Sequence, residues 1–257
     1  MTNNIQSIFA QKQKVNIGYI VAGYPSVAFT KEFLLNLNHS AIDILEIGIP
    51  YSDPLADGKL ISQASFTASQ AGVTTDTVFN LLAEVKGEVQ KPLVFLVYYN
   101  LVLAYGVAAF IDKCAAVGIS GLIIPDLPYE EADEVVSLLR EKQLAFIPLV
   151  SVTSGERIKK IACLGDGFIY AVGSLGVTGS QQVALPRLAS FVEDIRQQTH
   201  LPIALGFGIK TQADVAQMRQ YADAVIVGTS IVALTAQHSV KETINAINTL
   251  FKIITVR

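Results

Sequence analysis

Residues 43–58 read DILEIGIPYSDPLADG. The half from Asp43 to Ile49 is apolar and β-branched, as a strand is. The half from Pro50 to Gly58 is punctuated by proline and glycine, as a loop is. Side chains alternate along a strand, so Ile42, Ile44, Glu46 and Gly48 share one face, and Asp43, Leu45, Ile47 and Ile49 the other. Both faces are apolar except for Glu46 near the end and Asp43 at the start. A strand apolar on both faces belongs in a parallel sheet covered by helices. Moving an unpaired polar group out of water costs roughly 2–7 kcal/mol, and an ionised carboxylate costs more. Glu46 must therefore be paired, protonated or used.

The same strand-then-helix unit recurs outward from this stretch. Apolar runs begin near Val15 (VNIGYIVAG), Ile42 (IDILEIGI), Leu93 (LVFLVYY), Gly121 (GLIIPD), Ala145 (AFIPLVS), Phe168 (FIYAVG), Ile203 (IALGFG) and Ala224 (AVIVG). Helical stretches such as EEADEVVSLLREK (Glu130 to Lys142) and LPRLASFVEDIRQQ (Leu185 to Gln198) follow most of them. Eight such units in 257 residues predict an α/β fold, one (β/α)8 TIM barrel over residues 1–257, with extra N-terminal and loop helices. A doubly wound sheet would leave two runs unexplained. Two intervals are long, from Ile42 to Leu93 and from Phe168 to Ile203. Extra residues in a barrel gather in loops at the C-terminal face, where function is found.

Composition excludes several classes. Hydrophobic residues are 51% and charged residues 16%, so long disordered tracts are not expected. A formal charge of −3 without a basic run gives nucleic-acid binding no electrostatic support. Cys114 and Cys163 lie far apart in expected helices and read as free thiols of a reducing compartment, which points to the cytoplasm. His39, His200 and His238 are isolated, so no metal spacing appears. The start, MTNNIQSIFAQKQK, has no apolar signal core. Residues 93–111, LVFLVYYNLVLAYGVAAFI, carry no formal charge and are long enough to span a bilayer. They split instead into a strand (Leu93 to Tyr98), a loop at Tyr99-Asn100, and a helix from about Val102.

Chemistry collects at the expected C-terminal face. Burial raises a carboxyl pKa toward the range useful for acid–base catalysis, which makes Glu46 a candidate acid/base. The alternative is a buried carboxyl bonded to a backbone group or to a barrel serine or tyrosine. Asp53-Pro54 and Asp57-Gly58 in the following loop are turn signals as well as candidate sites. Neither the P-loop nor the dinucleotide fingerprint is present, since Gly206-Phe207-Gly208 is followed by Thr211 where a glycine would be needed. Glycine loops nevertheless follow the sixth run (Gly173-Ser174-Leu175-Gly176-Val177-Thr178-Gly179), the seventh (Gly206-Phe207-Gly208) and the eighth (Gly228-Thr229-Ser230). The last opens a helix. Backbone amides at such positions bind phosphate; tight turns alone are the plainer reading. No lysine sits inside an expected strand, as a Schiff-base aldolase would need; Lys210 lies in a loop. The segment 174–186, with glycines at its start, reads as a lid over the phosphate site.

Taken together, LEIGIPYSDPLADG, Tyr98-Tyr99-Asn100, IIPDLPYEE, GVTG, GFGI and VGTSIV resemble, in order along nearly the whole chain, the tryptophan synthase α subunit family. The resemblance implies a TIM barrel that cleaves indole-3-glycerol phosphate to indole and D-glyceraldehyde 3-phosphate. It implies no cofactor in this chain, and a pyridoxal-phosphate β subunit as partner in an α2β2 heterotetramer. It makes Glu46 the general acid/base and Asp57 the group that hydrogen-bonds the indole N–H. Tyr170 falls near the acid/base, and Gly179, Gly208, Gly228 and Thr229 in the phosphate cradle. Tyr19, Leu96, Ile123 and Phe207 would line the indole pocket. Pro50, Asp53, Pro54 and Asn100 would meet the partner. Departures from the family pattern are Lys59-Leu60-Ile61-Ser62 after Gly58, Gly173-Ser174-Leu175 before GVTG, Thr229 in place of serine, and Phe168 in place of tyrosine. Another phosphate-binding barrel enzyme would have no need of the DPLADG loop. A non-catalytic docking subunit could have lost Glu46 or Asp57, and both are present.

Overall fold

The computed structural model describes residues 4–54, 57–172, 185–206 and 208–252. Among the described residues, nine parallel strands run in one sheet: β1 (Val15–Val21), β2 (Ile44–Gly48), β3 (Leu93–Leu96), β4 (Ile119–Ile123), β5 (Ala145–Phe146), β6 (Leu149–Ser151), β7 (Ile169–Val172), β8 (Ile203–Gly206) and β9 (Ala224–Val227). Their spatial order is β5-β4-β3-β2-β1-β9-β8-β7-β6. The two ends of that order, β5 and β6, are halves of one stretch broken at Pro148. Proline has no N–H to give to a ladder. Ile147 N still donates to Leu122 O (2.9 Å), and Tyr170 N donates to Pro148 O (3.0 Å). The stretch thus pairs on both sides, and the sheet closes as eight staves of a barrel. The fifth run expected from sequence is present but split; the second begins at Ile44 and the fourth at Ile119.

Helices wrap the barrel. They are α1 (Asn4–Gln11), α2 (Val27–Asn36), α3 (Lys59–Gln70), α4 (Thr75–Val85), α5 (Tyr99–Tyr105) and α6 (Val107–Val117). The chain continues with α7 (Asp133–Glu141), α8 (Ile158–Ala162), α9 (Leu185–Arg196), α10 (Gln212–Met218), α11 (Thr229–Gln237) and α12 (Val240–Phe251). Their starts follow local chemistry: Thr74 with Thr77, Thr211 with Asp214 and Ser239 with Glu242 form reciprocal capping boxes. The expected loop at Tyr99-Asn100 is instead the first turn of α5, because Tyr98 takes the extended N-cap conformation just after β3. α5 and α6 meet at a 98° bend, and no single helix among the described residues is long and apolar enough to cross a membrane.

Two cores result. One fills the barrel with Val15, Ile17, Ile44, Val94, Ile147, Phe168 and their neighbours; Ile5 of α1 joins it from the N-terminal end. The rings of Phe9 and Phe168 lie 5.8 Å apart there. The other core lies between barrel and helices. The N-terminal helix thus plugs the bottom and leaves chemistry to the opposite mouth. At the bottom, Lys12 pairs with Asp43, which also accepts from Asn16 N, so the second acid of the β2 stretch is structural.

Candidate active site

The groove at the C-terminal end is built from neighbouring staves. Register pairs Tyr19 of β1 with Glu46 of β2, and Glu46 with Val94 of β3, which puts the tyrosine and the carboxyl side by side on the inner face. Leu96 pairs with Ile123, and both pack with the barrel interior. Tyr170 of β7 faces the same space. Each tyrosine leans over a glycine of the next stave. A Cβ on Gly48 would collide with the Tyr19 hydroxyl, and one on Gly206 would sit 2.7 Å from Tyr170 Oη. Those two glycines leave room for phenols.

Glu46 is 1% exposed, and neither of its carboxyl oxygens has a hydrogen-bond partner among the described residues. Burial pushes its pKa up to about 8. At neutral pH it is a neutral acid holding a proton that it can give. Among the described residues, neither a backbone group nor a barrel serine or tyrosine bonds this carboxyl.

Asp57 lies at the far end of the loop that leaves β2. Its N–H donates to Pro54 O (3.2 Å), and Ser62 Oγ of α3 donates to its carbonyl (3.3 Å). Burial pushes its carboxyl up to about 6, while a hydrogen bond from the Tyr98 hydroxyl pulls the other way. Burial, then the charges of Asp57 and Glu46, hold the Tyr19 phenol well above the ordinary tyrosine value. Burial, then Glu46 and Asp57, do the same to Tyr170. These mutual effects place Glu46, Asp57, Tyr19, Tyr98 and Tyr170 around one space, with two carboxyl groups whose surroundings hold their pKa values apart.

The glycine positions flank it. Gly208 follows β8 with φ +53°, a left-handed conformation suited to glycine. Gly228 caps α11, and Thr229 is its first residue. Ser230 Oγ donates to Ile209 O (2.8 Å), tying the two loops together. A Cβ on Gly228 would lie 3.5 Å from the Tyr19 ring, so the helix start stands beside the tyrosine. The first N–H groups of a helix have no intrahelical acceptor and form an anion site. Gly179 and Phe207 lie outside the described residues, as do residues 174–184 of the expected 174–186 lid. Lys210 is exposed, as expected for a loop lysine; its N–H donates to Asp214 (3.0 Å).

At the rim, Asp53 and Asn100 are exposed, Pro54 is half-buried, and Pro50 is buried beneath them. Ser52 Oγ donates to Asp53 (2.7 Å), and Asn100 Nδ2 donates to Tyr51 Oη (3.2 Å). The Tyr51 and Tyr98 rings stack at 5.0 Å. Lys59, the departure beside Asp57, is exposed at the start of α3. Sequence reasoning named Tyr98 only within the Tyr98-Tyr99-Asn100 motif and gave no role to it, to Tyr51 or to the buried Ser65 that holds Tyr51. Their only signal was proximity to the run, since a tyrosine just past a strand end reads as packing. Among the described residues no group of His, Cys, Asp and Glu could hold a metal ion. Cys114 is buried and Cys163 exposed just after α8; both are free thiols.

Comparison with known proteins agrees with this fold. The family described as tryptophan synthase alpha chain matches residues 5–254. A tryptophan synthase alpha chain of Campylobacter jejuni subsp. doylei is 45% identical over 242 residues, which is 94% of this chain and 96% of that one. One from Bacillus cereus is 44% identical over 231 residues, 90% of each. The solved structure of tryptophan synthase subunit alpha from Campylobacter jejuni matches with a TM-score of 0.85 at 44% identity, covering 93% of this chain and 96% of that chain. A Mycobacterium tuberculosis tryptophan synthase structure matches at 0.86 and 31%, covering 96% and 99%.

Proposed function

The chain belongs to the tryptophan synthase alpha chain family, and from that premise we propose that Glu46 and Asp57 carry its reaction, the cleavage of indole-3-glycerol phosphate to indole and D-glyceraldehyde 3-phosphate. The observation that supports this assignment is the pair itself: a buried, proton-holding Glu46 and a loop-borne Asp57 around one cavity.

The Glu46 proton goes to C3 of the indole ring, which becomes a cation. The Asp57 carboxylate accepts a hydrogen bond from the ring N–H and stabilises the positive charge as it forms. The bond from C3 to the glycerol chain breaks, and its electron pair restores the aromatic ring. The adjacent hydroxyl becomes the aldehyde, and its proton returns to Glu46, which ends as it began. Tyr19, Leu96, Ile123 and Tyr170, with Phe207, line the space for the ring. Gly208, Gly228 and Thr229, with Gly179, take the phosphate on backbone amides. The reaction so written asks no cofactor of this chain; pyridoxal phosphate is placed in the partner.

The chain works with a β subunit, to which indole passes. We place that contact at the rim, at Asp53, Pro54 and Asn100 with Pro50 beneath. Leu103, three residues beyond Asn100 and so on the same face of α5, is 50% exposed and adds apolar surface. A single domain over 1–257, a cytoplasmic setting and an α2β2 assembly complete the reading.

The test is indole release from indole-3-glycerol phosphate by the purified chain. Glu46→Gln removes the titrating group without changing size and should release no indole while remaining folded. Asp57→Asn should be severely impaired, with a trace left through its remaining hydrogen bond. Release by Glu46→Gln near the wild-type rate would contradict the assignment.

A further inference from the structure

We propose that a groove at the N-terminal end of the barrel binds a small organic anion, a carboxylate or phosphate head on an apolar body, with Lys14 and Arg219 taking the head. The groove holds about 1020 Å³ and lies between the link from α1 to β1, helix α10 and the end of α12. That volume is close to the upper end of the roughly 300–1,000 Å³ usual for ligand pockets. The groove sits at the opposite end of the strands from Glu46 and Asp57, so it is part of neither the indole space nor the phosphate cradle.

Three cations line it, Lys12, Lys14 and Arg219, and they differ in their partners. Lys12 pairs with the buried Asp43, which also accepts from Asn16 N (2.9 Å), so that charge is already matched. Lys14 donates to a carbonyl, Ala222 O (2.9 Å), and an ammonium has three donors. Arg219 donates through Nη2 to Asn16 Oδ1 (2.6 Å) and to Phe251 O (3.0 Å), while its buried Nε has no partner among the described residues. Neither Lys14 nor Arg219 is ion-paired with a described carboxylate. The acid on the groove wall, Asp214, is engaged at the start of α10, where it accepts from Lys210 N (3.0 Å) and Thr211 N (2.8 Å).

Two cations are thus left without a matching charge. Arg219 is half-buried, where water screens a charge less than at an open surface. Burial lowers its pKa, and the charge of Asp43 offsets this only in part. Two bonds from one nitrogen fix the plane of the guanidinium, and a planar guanidinium so held is preorganised for a carboxylate or phosphate. The wall also carries Ala213 and Ala216 of α10 and the ring of Phe251. A bare inorganic ion would leave that surface in water; an anion with an apolar body covers it.

The experiment titrates the isotopically labelled chain with hexanoate, hexyl phosphate, hexanamide and inorganic phosphate, and follows the backbone amide shifts. Hexanoate or hexyl phosphate should move the amides of Ala213, Ala216, Gln217 and Gln220, and the one that acts at the lower concentration identifies the head. Hexanamide has the same length as hexanoate without the charge. It should bind at least about tenfold more weakly, as expected for losing a charge-assisted bond. Inorganic phosphate, without the tail, should also be the weaker anion. Lys14→Gln should weaken the better anion about tenfold, and Arg219→Lys, which keeps the charge but loses the planar fork, several-fold. Thermal unfolding and indole release are the folding controls; if Arg219→Lys does not fold, the exposed Lys14 carries the test. Hexanamide binding as tightly as hexanoate, or unchanged affinity in Lys14→Gln, would overturn the proposal. So would shifts confined to Gly208, Gly228 and Thr229, which place the anion in the mouth alone, and so would groove amides that none of the probes moves.

Discussion

At the scale of the residue, the buried carboxyl of Glu46 opposes stability whenever it must ionise. Its folded pKa, about 8, lies above the ordinary carboxyl value of 4.5. The folded state therefore holds a proton that the unfolded chain has lost between those two values, and stability falls as pH rises through that window. Above about 8 both states are ionised and the loss is complete. Glu46→Gln does not titrate there. It should be more stable than the wild type by an amount that grows from about pH 5 to about pH 8 and then levels off, on the order of 5 kcal/mol. Urea midpoints across pH 5–9 measure this; a difference that stays flat with pH would mean that Glu46 is hydrated or paired in the folded chain. The acid was legible in the sequence because a carboxyl inside an apolar strand has few explanations. The place of Tyr98 was not, because one extended residue past a strand end decides how its ring comes to stack on Tyr51, and no residue pattern encodes that.

At the scale of the element, the eight staves were legible as apolar runs, since parallel strands covered on both faces lose the polar alternation that would mark an exposed sheet. The break at Pro148 and the start of α5 at Tyr99 were not, because both depend on backbone pairing with neighbouring staves. The glycines were legible as loops, yet Gly48 and Gly206 have a second reason that appears only when Tyr19 and Tyr170 are seen leaning over them. The β2–α3 loop shows what an element can add. Asp53 is exposed in the loop between Tyr51, held by Ser65, and Asp57. A partner that touches Asp53 can bias the loop that sets Asp57, which would couple two sites through one segment. Asp53→Ala should lower the β-dependent rise in indole release several-fold more than it lowers the basal rate, in assays with and without the β subunit. Equal losses in both would make Asp53 a turn residue only.

At the scale of the whole molecule, closure of the sheet divides labour between its two ends. The bottom is sealed by Ile5 and Phe9 of α1 and by the Lys12–Asp43 pair. The mouth gathers two carboxyl groups, from β2 and the loop that leaves it, and three phenols from other staves, in surroundings dry enough to pull the two acids apart. Two acids so separated can serve opposite roles at one pH, one protonated and one ionised. The most direct measurement of that claim is the pH dependence of kcat/KM for indole release by the isolated wild-type chain. The expected result is a bell, rising through about pH 6 as Asp57 ionises and falling through about pH 8 as Glu46 loses its proton. A profile that stays flat from pH 5 to pH 9, or a basic limb that persists unchanged in the residual activity of Glu46→Gln, would contradict it.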